Sequence, residues 1–242
     1  MKKAFSILLL GLVLLAGCSK TGDAPLPPGD TNRPSEGHSP ESEYLESAFA
    51  TLFSNGTERF LCVSGEKNYL IVNPSAVEAF QEPTRVLVEF AYSSAAFDKS
   101  RYNAAVLVAT IVEVTQQPLM YESADIDDTD ESSETLFGAP MQIIFDWITT
   151  AEAGFLTVHY RIQQSGEVQH CFELRPFGAG GDYALYHNNQ GDEGEVPGEG
   201  IICFRLLPEP SAPEGETPRI RLHYLDFSGK VKTLVLVYRS GS

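Results

Sequence analysis

The chain has 242 residues, with 17 Lys and Arg against 33 Asp and Glu, for a formal net charge of −16. A surface that acidic repels phosphate backbones and anionic lipid, so nucleic acid is not an expected partner and a basic patch cannot hold the protein to a membrane. Hydrophobic residues make up 43% of the chain, enough for packed cores, and the length suits two domains of about 100–150 residues each.

Residues 1–17 have the layout of a secretory signal. Lys2 and Lys3 form a positive start, and Ala4 to Leu15 is an apolar stretch broken only by Ser6 and Gly11. The stretch is shorter than the ~20 residues a spanning helix needs. Leu15-Ala16-Gly17-Cys18 resembles a bacterial lipobox, in which the cysteine thiol takes a diacylglyceryl group, the chain is cut before it and the new amino end is acylated. Cys18 is therefore the expected lipidation site. Removing residues 1–17 leaves 225 residues at a net charge of −18, since Lys2 and Lys3 depart with the signal. Membrane attachment then rests on acyl chains, and three of them exceed what stable anchoring requires.

Residues 18–43 follow as a tether. Ser19 to Glu43 holds five prolines, one leucine and no aromatic residue, too little apolar area to offset the entropy of ordering. His38 travels with it as a passenger.

Residues 44–117 change character to short β-runs separated by turns. Strands are expected near 47–53, 58–63, 69–72, 85–92 and 104–114. Asn55-Gly56 and Ser64-Gly65 supply hairpin turns. Asn73-Pro74 predicts a short helix through Phe80, with Asn73 as its N-cap. In the fourth run Val86, Val88, Phe90 and Tyr92 share one face. Five strands with a small helix between the third and fourth is the order of an OB-type barrel. Such barrels often bind oligonucleotides or sugars, but this one carries eight acidic and five basic side chains and no basic stripe. Tyr92, Phe97 and Tyr102, around a barrel loop, are its candidate stacking residues.

Residues 118–138 form an acidic linker containing YESADIDDTDESSE. A calcium loop would need a glycine where Ser133 stands and a bidentate Glu where Ala139 stands, counting from Asp128. The solvated linker is the preferred reading.

Residues 139–242 return to strands, expected near 141–149, 155–162, 167–175, 182–187, 200–207, 219–227 and 230–239. Tight turns at Ser165-Gly166 and Ser228-Gly229 should join hairpin neighbours. Leu156, Val158, Tyr160 and Ile162 point inward, against Thr157, His159 and Arg161 outward. Seven such strands predict an antiparallel β-sandwich, so the fold class is all-β, a small OB-type barrel followed by the sandwich. The glycine-rich acidic loop 191–200 is expected to be exposed and mobile. Trp147 and Phe145 are assigned to the core in preference to a sugar-stacking platform.

Several features then line up in order: the lipobox, the tether, a barrel strand VLVEF, the acidic linker, QIIFDWITT, GFLTVHY, a strand with Tyr186-His187-Asn188-Asn189, and a closing RIRLHY…VLVY hairpin. This resembles the NigD-like lipoproteins of Bacteroides and its relatives, along essentially the whole chain. The resemblance implies an N-terminal OB domain and a C-terminal β-sandwich. Tyr186 departs from the arginine usual in that family before His-Asn. The family offers no enzymatic activity to carry over, and its bacteriocin-associated name suggests an immunity role.

No catalytic signature is present. G-x-S-x-G, H-E-x-x-H, the P-loop and G-x-G-x-x-G are all missing, and no C-x-x-C supports zinc or redox chemistry. No metal and no cofactor are expected. Setting Cys18 aside leaves Cys62, Cys171 and Cys203, of which Cys171 and Cys203, on the polar phase of their strands, could bridge if those strands are neighbours. The one local polar cluster is His187-Asn188-Asn189, a candidate ligand-binding group at a strand end, although Asn-Asn before Gly191 also spells a turn, the favoured reading. His159, Arg161, Arg219, Arg221 and His223 would form a cationic patch only if their strands share a sheet, and scattered solvated cations are preferred. The expectation is a lipid-anchored outer-membrane protein that binds an envelope protein or polysaccharide without catalysis. An immunity protein is one alternative. A hydrolase is another, which would place His187 against Asp182 or Asp192 and a hydroxyl.

Overall fold

The computed structural model describes residues 45–117, 119, 136–177 and 181–241. The signal, Cys18, the tether and nearly all of the acidic linker lie outside the described residues. Five strands form a closed barrel in the order β1-β2-β3-β5-β4: β1 Glu46–Ser54, β2 Arg59–Val63, β3 Lys67–Ile71, β4 Thr84–Ser93 and β5 Ala104–Glu113. Closure comes from β1 pairing with β4, Ala48 opposite Val88. The parallel pair β3–β5 makes the crossing that an OB-type barrel requires. Asn55 and Gly56 turn the first hairpin as expected, the Glu58 amide donating to Asn55 Oδ1 at 3.1 Å. Alternation in β4 places Val86, Val88 and Phe90 in the barrel core with Leu52, Leu61 and Val106.

The predicted helix after Asn73 is only a 3-10 turn, Pro74–Val77. Asn73 does not cap it. Its side chain instead pairs with β5, Nδ2 donating to Val108 O (2.8 Å) and Oδ1 accepting from Val108 N (2.9 Å). The side chain that meets both backbone groups of Val108 is turned toward β5 and so is not aimed at the amides that start the 3-10 turn.

The remaining strands are β6 Gln116–Gln117, β7 Gln142–Ile143, β8 Thr150–Glu152, β9 Phe155–Gln164, β10 Cys171–Pro176, β11 Asp182–Asn188, β12 Val196–Arg205, β13 Arg219–Leu225 and β14 Val231–Arg239. They run in the order β10-β11-β13-β14-β8-β9-β12-β6, with β7 beside β9. The two halves of this order face each other across one core, where Leu156, Val158 and Phe204 meet Leu174, Leu185, Leu222 and Leu236. The all-β sandwich is borne out. Its joints β11–β13, β14–β8 and β12–β6 are, however, parallel pairs of two or three residues.

Two local expectations need correction, and one open question is answered. Ser165-Gly166 does not join hairpin partners, because β9 pairs with β12 and β8 while β10 pairs with β11. Half of the supposed mobile loop 191–200 is the start of β12, paired with β9 from Val196–Gln164 onward. Its glycines mark close approach, for a Cβ at Gly198 would fall on the Gln164 side chain and one at Gly200 on the Tyr160 hydroxyl. Cys171 and Cys203 are free, on strands that are not neighbours. Cys203 is fully buried, although the alternation put it on a wet face, and burial pushes its thiol up to about 12 and that of Cys62 up to about 11.

That wet face is dry because the barrel sits on it. Phe49, Val114, Phe155 and Cys203 pack together with Leu87 and Ile201, barrel against sandwich. At the centre lies Arg85 of β4, 1% exposed. Its Nη2 meets Glu152 Oε1 of β8 at 2.6 Å and also donates to Thr150 Oγ1 (3.2 Å). Nε and Nη1 donate to Thr157 (3.1 Å) and Thr51 (3.3 Å). Arg85→Ala should leave the buried Glu152 carboxylate with only the longer contact to Arg239 Nη1 at 3.8 Å and cost about 3–5 kcal/mol. Arg85→Ala combined with Glu152→Ala should cost less than the two losses added together. Urea unfolding of the four proteins of this cycle measures the coupling.

Candidate functional site

The segment expected to be one strand, 141–149, is broken, and the break helps to build a cleft. β7 ends at Ile143, and Asp146 Oδ1 then accepts the amides of Ile148 (3.0 Å) and Thr149 (3.3 Å). Thr149 Oγ1 donates to Ile144 O (2.6 Å) and accepts from His159 N (3.1 Å), while Asp146 Oδ2 lies 2.8 Å from His159 Nδ1. A short Asp side chain that takes two successive amides competes with strand pairing for the same backbone. The resulting turn swings Phe145 and Trp147 outward, 70% and 56% exposed. They are therefore not core residues, contrary to expectation, because the alternation that buries a strand's apolar side chains stops where the strand stops.

These rings stand at the mouth of a cleft of about 870 Å³ between barrel and sandwich, within the size range of ligand sites. The barrel contributes Glu46 to Phe49, Lys67, Tyr69, Phe90 and Tyr92; the sandwich contributes residues 145–147 and 149–152 with Val235 to Val237 and Arg239. Trp147 leans on Phe49, ring centroids 5.4 Å apart. Tyr92 is exposed in the cleft, its hydroxyl donating to Glu46 at 3.0 Å. Of the other barrel-loop aromatics, Tyr102 is buried and donates to Glu58 at 3.0 Å, and Phe97 is half-buried. At the floor, Glu152 Oε2 is buried without a hydrogen-bond donor, Arg239 Nη1 standing 3.8 Å away. Aromatic faces at the rim and an unmet acceptor at the floor suit a ligand that brings both apolar surface and hydrogen-bond donors.

The predicted trio lies elsewhere. His187, Asn188 and Asn189 line a recess of about 340 Å³ beside Gly138 to Pro140. His187 is 1% exposed and stacks on Phe172, ring centroids 4.9 Å apart. Its Nδ1 donates to Ala139 O (3.1 Å), so its Nε2 accepts from His170 Nδ1 (2.8 Å). His170 Nε2 in turn meets Asp192 Oδ2 at 3.1 Å, and the Ser165 amide and hydroxyl donate to the same oxygen. The Asn188 side chain accepts from the Gln190 amide, while Asn189 accepts from Gly191 N and donates to Asp192 O, as a turn requires. The carboxylate–histidine–histidine series resembles a catalytic relay, but its far end is a carbonyl, which has no proton to surrender. Among the described residues no group of three or more His, Cys, Asp or Glu is placed to hold a metal.

The cationic patch does not form as a free surface. His159 faces Asp146, Arg161 faces Glu199 and Arg221 faces Asp182. Sequence reasoning missed Arg85 and the cleft. No local signal marks Arg85, because an arginine on the same phase as Glu89 in an alternating strand reads as a solvated side chain.

Burial, reinforced by neighbouring His170, lowers the His187 pKa to about 4. The unfolded chain binds a proton there near pH 6.5 that the folded chain refuses, so stability falls as pH drops from about 6.5 toward 4, by up to about 3 kcal/mol. His187→Gln should flatten that part of the stability–pH curve, read by denaturant unfolding. Asp192, held well below the usual carboxylate range chiefly by the Ser165 amide, adds its own loss only below about pH 4.

Comparison with known proteins agrees with this architecture. Residues 125–238 match the NigD-like C-terminal β-sandwich domain. A candidate toxin-related protein of Parabacteroides distasonis shares the fold at a TM-score of 0.59 and 20% identity, over 80% of this chain and 94% of its own. A protein of unknown function from Bacteroides vulgatus does so at 0.59 and 16%, over 81% and 91%. A candidate lipoprotein of Bacteroides fragilis does so at 0.56 and 6%, over 82% and 100%. The search of curated proteins returned no match. The likeness read from the strand motifs is borne out over residues 125–238, which match the NigD-like C-terminal β-sandwich domain.

Proposed function

We propose that the protein is a lipid-anchored, non-catalytic binding protein of the bacterial outer membrane, and that it takes an envelope partner in the cleft between barrel and sandwich. The observation that carries the reading is the exposure of Phe145 and Trp147 over that cleft, beside Tyr92 and the unmet Glu152 oxygen. Leaving two large rings in water is unfavourable unless a partner covers them, and such patches recur at interaction sites. The lipobox at Leu15–Cys18 supports the anchor, and the acidic chain has no other evident hold on a bilayer. Hydrolysis is disfavoured because the His187–His170–Asp192 series ends on the Ala139 carbonyl. The candidate lipoprotein among the fold relatives is consistent with an accessory role at the envelope.

Two outcomes are expected. Cys18→Ala should move the protein from the membrane to the soluble fraction and abolish the acyl mass on the mature amino end, read by fractionation and mass spectrometry. In pull-downs from envelope extracts and on glycan arrays, Phe145→Ala with Trp147→Ala should abolish retention of the partner. Because both rings are mostly exposed, the pair should cost stability only about 1 kcal/mol, chiefly the Trp147–Phe49 contact. Undiminished retention by the double variant would remove the cleft from consideration.

A further inference from the structure

Strand β14 is only half partnered. Along one edge it pairs with β13 from Val231 to Val237, while on the other β8 reaches only Tyr238 and Arg239. The register says which groups are left over. Tyr238 N donates to Pro218 O at 2.8 Å, so the even-numbered residues of β14 turn their amides and carbonyls toward β13. Arg239 O accepts from Ala153 N at 2.8 Å, so the odd-numbered residues face the other way. Val231, Thr233 and Val235 thus present N–H and C=O groups to an edge with no strand beside it among the described residues. The edge opens into the cleft through Val235 and Val237, each 50% exposed. It is open because Asp146 turns the chain away at Ile148 and Thr149, where a longer β8 would have continued alongside β14.

We propose that this edge receives an extended peptide segment of a partner protein, which adds a strand to β14 and carries acidic side chains on its outward face. The inference rests on the cleft being the binding surface. A row of unpaired N–H and C=O groups, two residues apart, is matched by another extended backbone and not by a sugar. Seven residues at about 3.3 Å each give room for a strand of six or seven residues. Charge selects the partner. In the hairpin 219–239, Arg221, Lys232 and Arg239 are already paired with Asp182, Asp226 and the carboxylates of Glu66 and Glu152, which leaves Arg219 and Lys230, one toward each end of β14, without an ion-pair partner among the described residues. A second copy would bring two such pairs of free cations edge to edge, whereas an acidic strand complements the ones that are there.

The chain's single tryptophan, Trp147, lies on the cleft and reports occupancy by its fluorescence. The probe is a capped hexapeptide of alternating valine and glutamate, added to the full-length lipoprotein in detergent micelles. The expected result is a saturable change in Trp147 emission that weakens with salt, with binding roughly tenfold weaker or worse for the valine–lysine counterpart. Hydrogen exchange should slow at the amides of Val231, Thr233 and Val235, while the amides of the even residues, already bonded to β13, stay as they were. Methylating alternate peptide nitrogens should weaken binding by roughly tenfold or more with the protein untouched. Val235→Pro, which removes an unpaired N–H, should do the same.

The inference is overturned if the glutamate peptide does not bind, or if N-methylation makes no difference. It is overturned too if a glycan changes Trp147 emission while the odd amides keep exchanging, an outcome that leaves the cleft reading standing. Protection of the odd amides in concentrated protein alone would make a second copy the occupant. If Trp147 is silent to peptide, glycan and envelope extract alike, the cleft reading itself fails.

Discussion

The buried pair of Arg85 and Glu152 decides how the two β-modules relate. Taking a guanidinium and a carboxylate out of water costs several kcal/mol per ion unless each finds good partners. Here Arg85 is met by one carboxylate oxygen and three threonine hydroxyls, drawn from β1, β8 and β9. That set exists only when barrel and sandwich are docked in one way, because Thr51 belongs to the first and Thr150, Glu152 and Thr157 to the second. The surrounding apolar cluster of Phe49, Val114, Phe155 and Cys203 supplies area without direction. The ion pair supplies the direction.

A fixed docking has a consequence for β8. Three residues long, β8 pairs with β14 through only Ala151 and Glu152, and a strand that short holds little by its own ladder. Two of its three side chains, Thr150 and Glu152, bind Arg85 from across the interface. The barrel therefore pins the end of the segment whose other end, at Asp146, turns away. Between those points the rings of Phe145 and Trp147 are held out over the cleft, and Trp147 rests on Phe49 of the barrel. The interface and the candidate site are parts of one arrangement.

Much of this was legible in the residues and some was not, for identifiable reasons. The barrel came through because its signals are local: Asn55-Gly56, Ser64-Gly65 and the clean alternation of β4 each dictate conformation within a few residues. The closing hairpin over Ser228-Gly229 was legible in the same way. What failed was inference about the second face of each strand. Alternation says that Thr157 and Cys203 oppose the sandwich core, and equates the opposite side with water. Both are fully buried, because the barrel covers that side. Arg85 was opaque for the mirror-image reason, an arginine on the non-core face of a barrel strand being indistinguishable in sequence from a solvated one. The trio at His187 was legible as polar and turn-forming, but nothing local reveals that His170 and Asp192 use up the hydrogen-bonding capacity of its ring.

The break at Asp146 shows how a small competition decides a large feature. QIIFDWITT is a good β sequence, rich in branched and aromatic residues, and a strand running through it would lie along β14 and close the sheet. Against that ladder stand the two amides bonded by Asp146 Oδ1, the Thr149 hydroxyl bridging Ile144 and His159, and the Asp146–His159 contact. Each such hydrogen bond is worth about 1 kcal/mol net, so four or five of them together equal the handful of ladder bonds forgone. The turn then needs little further help, and the Thr150–Glu152 grip on Arg85 at one end and the β7–β9 pairing at the other provide it. What the chain loses is a closed edge. What it keeps is a strand with open hydrogen bonds beside two exposed aromatic rings, the pairing of main-chain valence and apolar surface from which a binding surface for an extended chain is made.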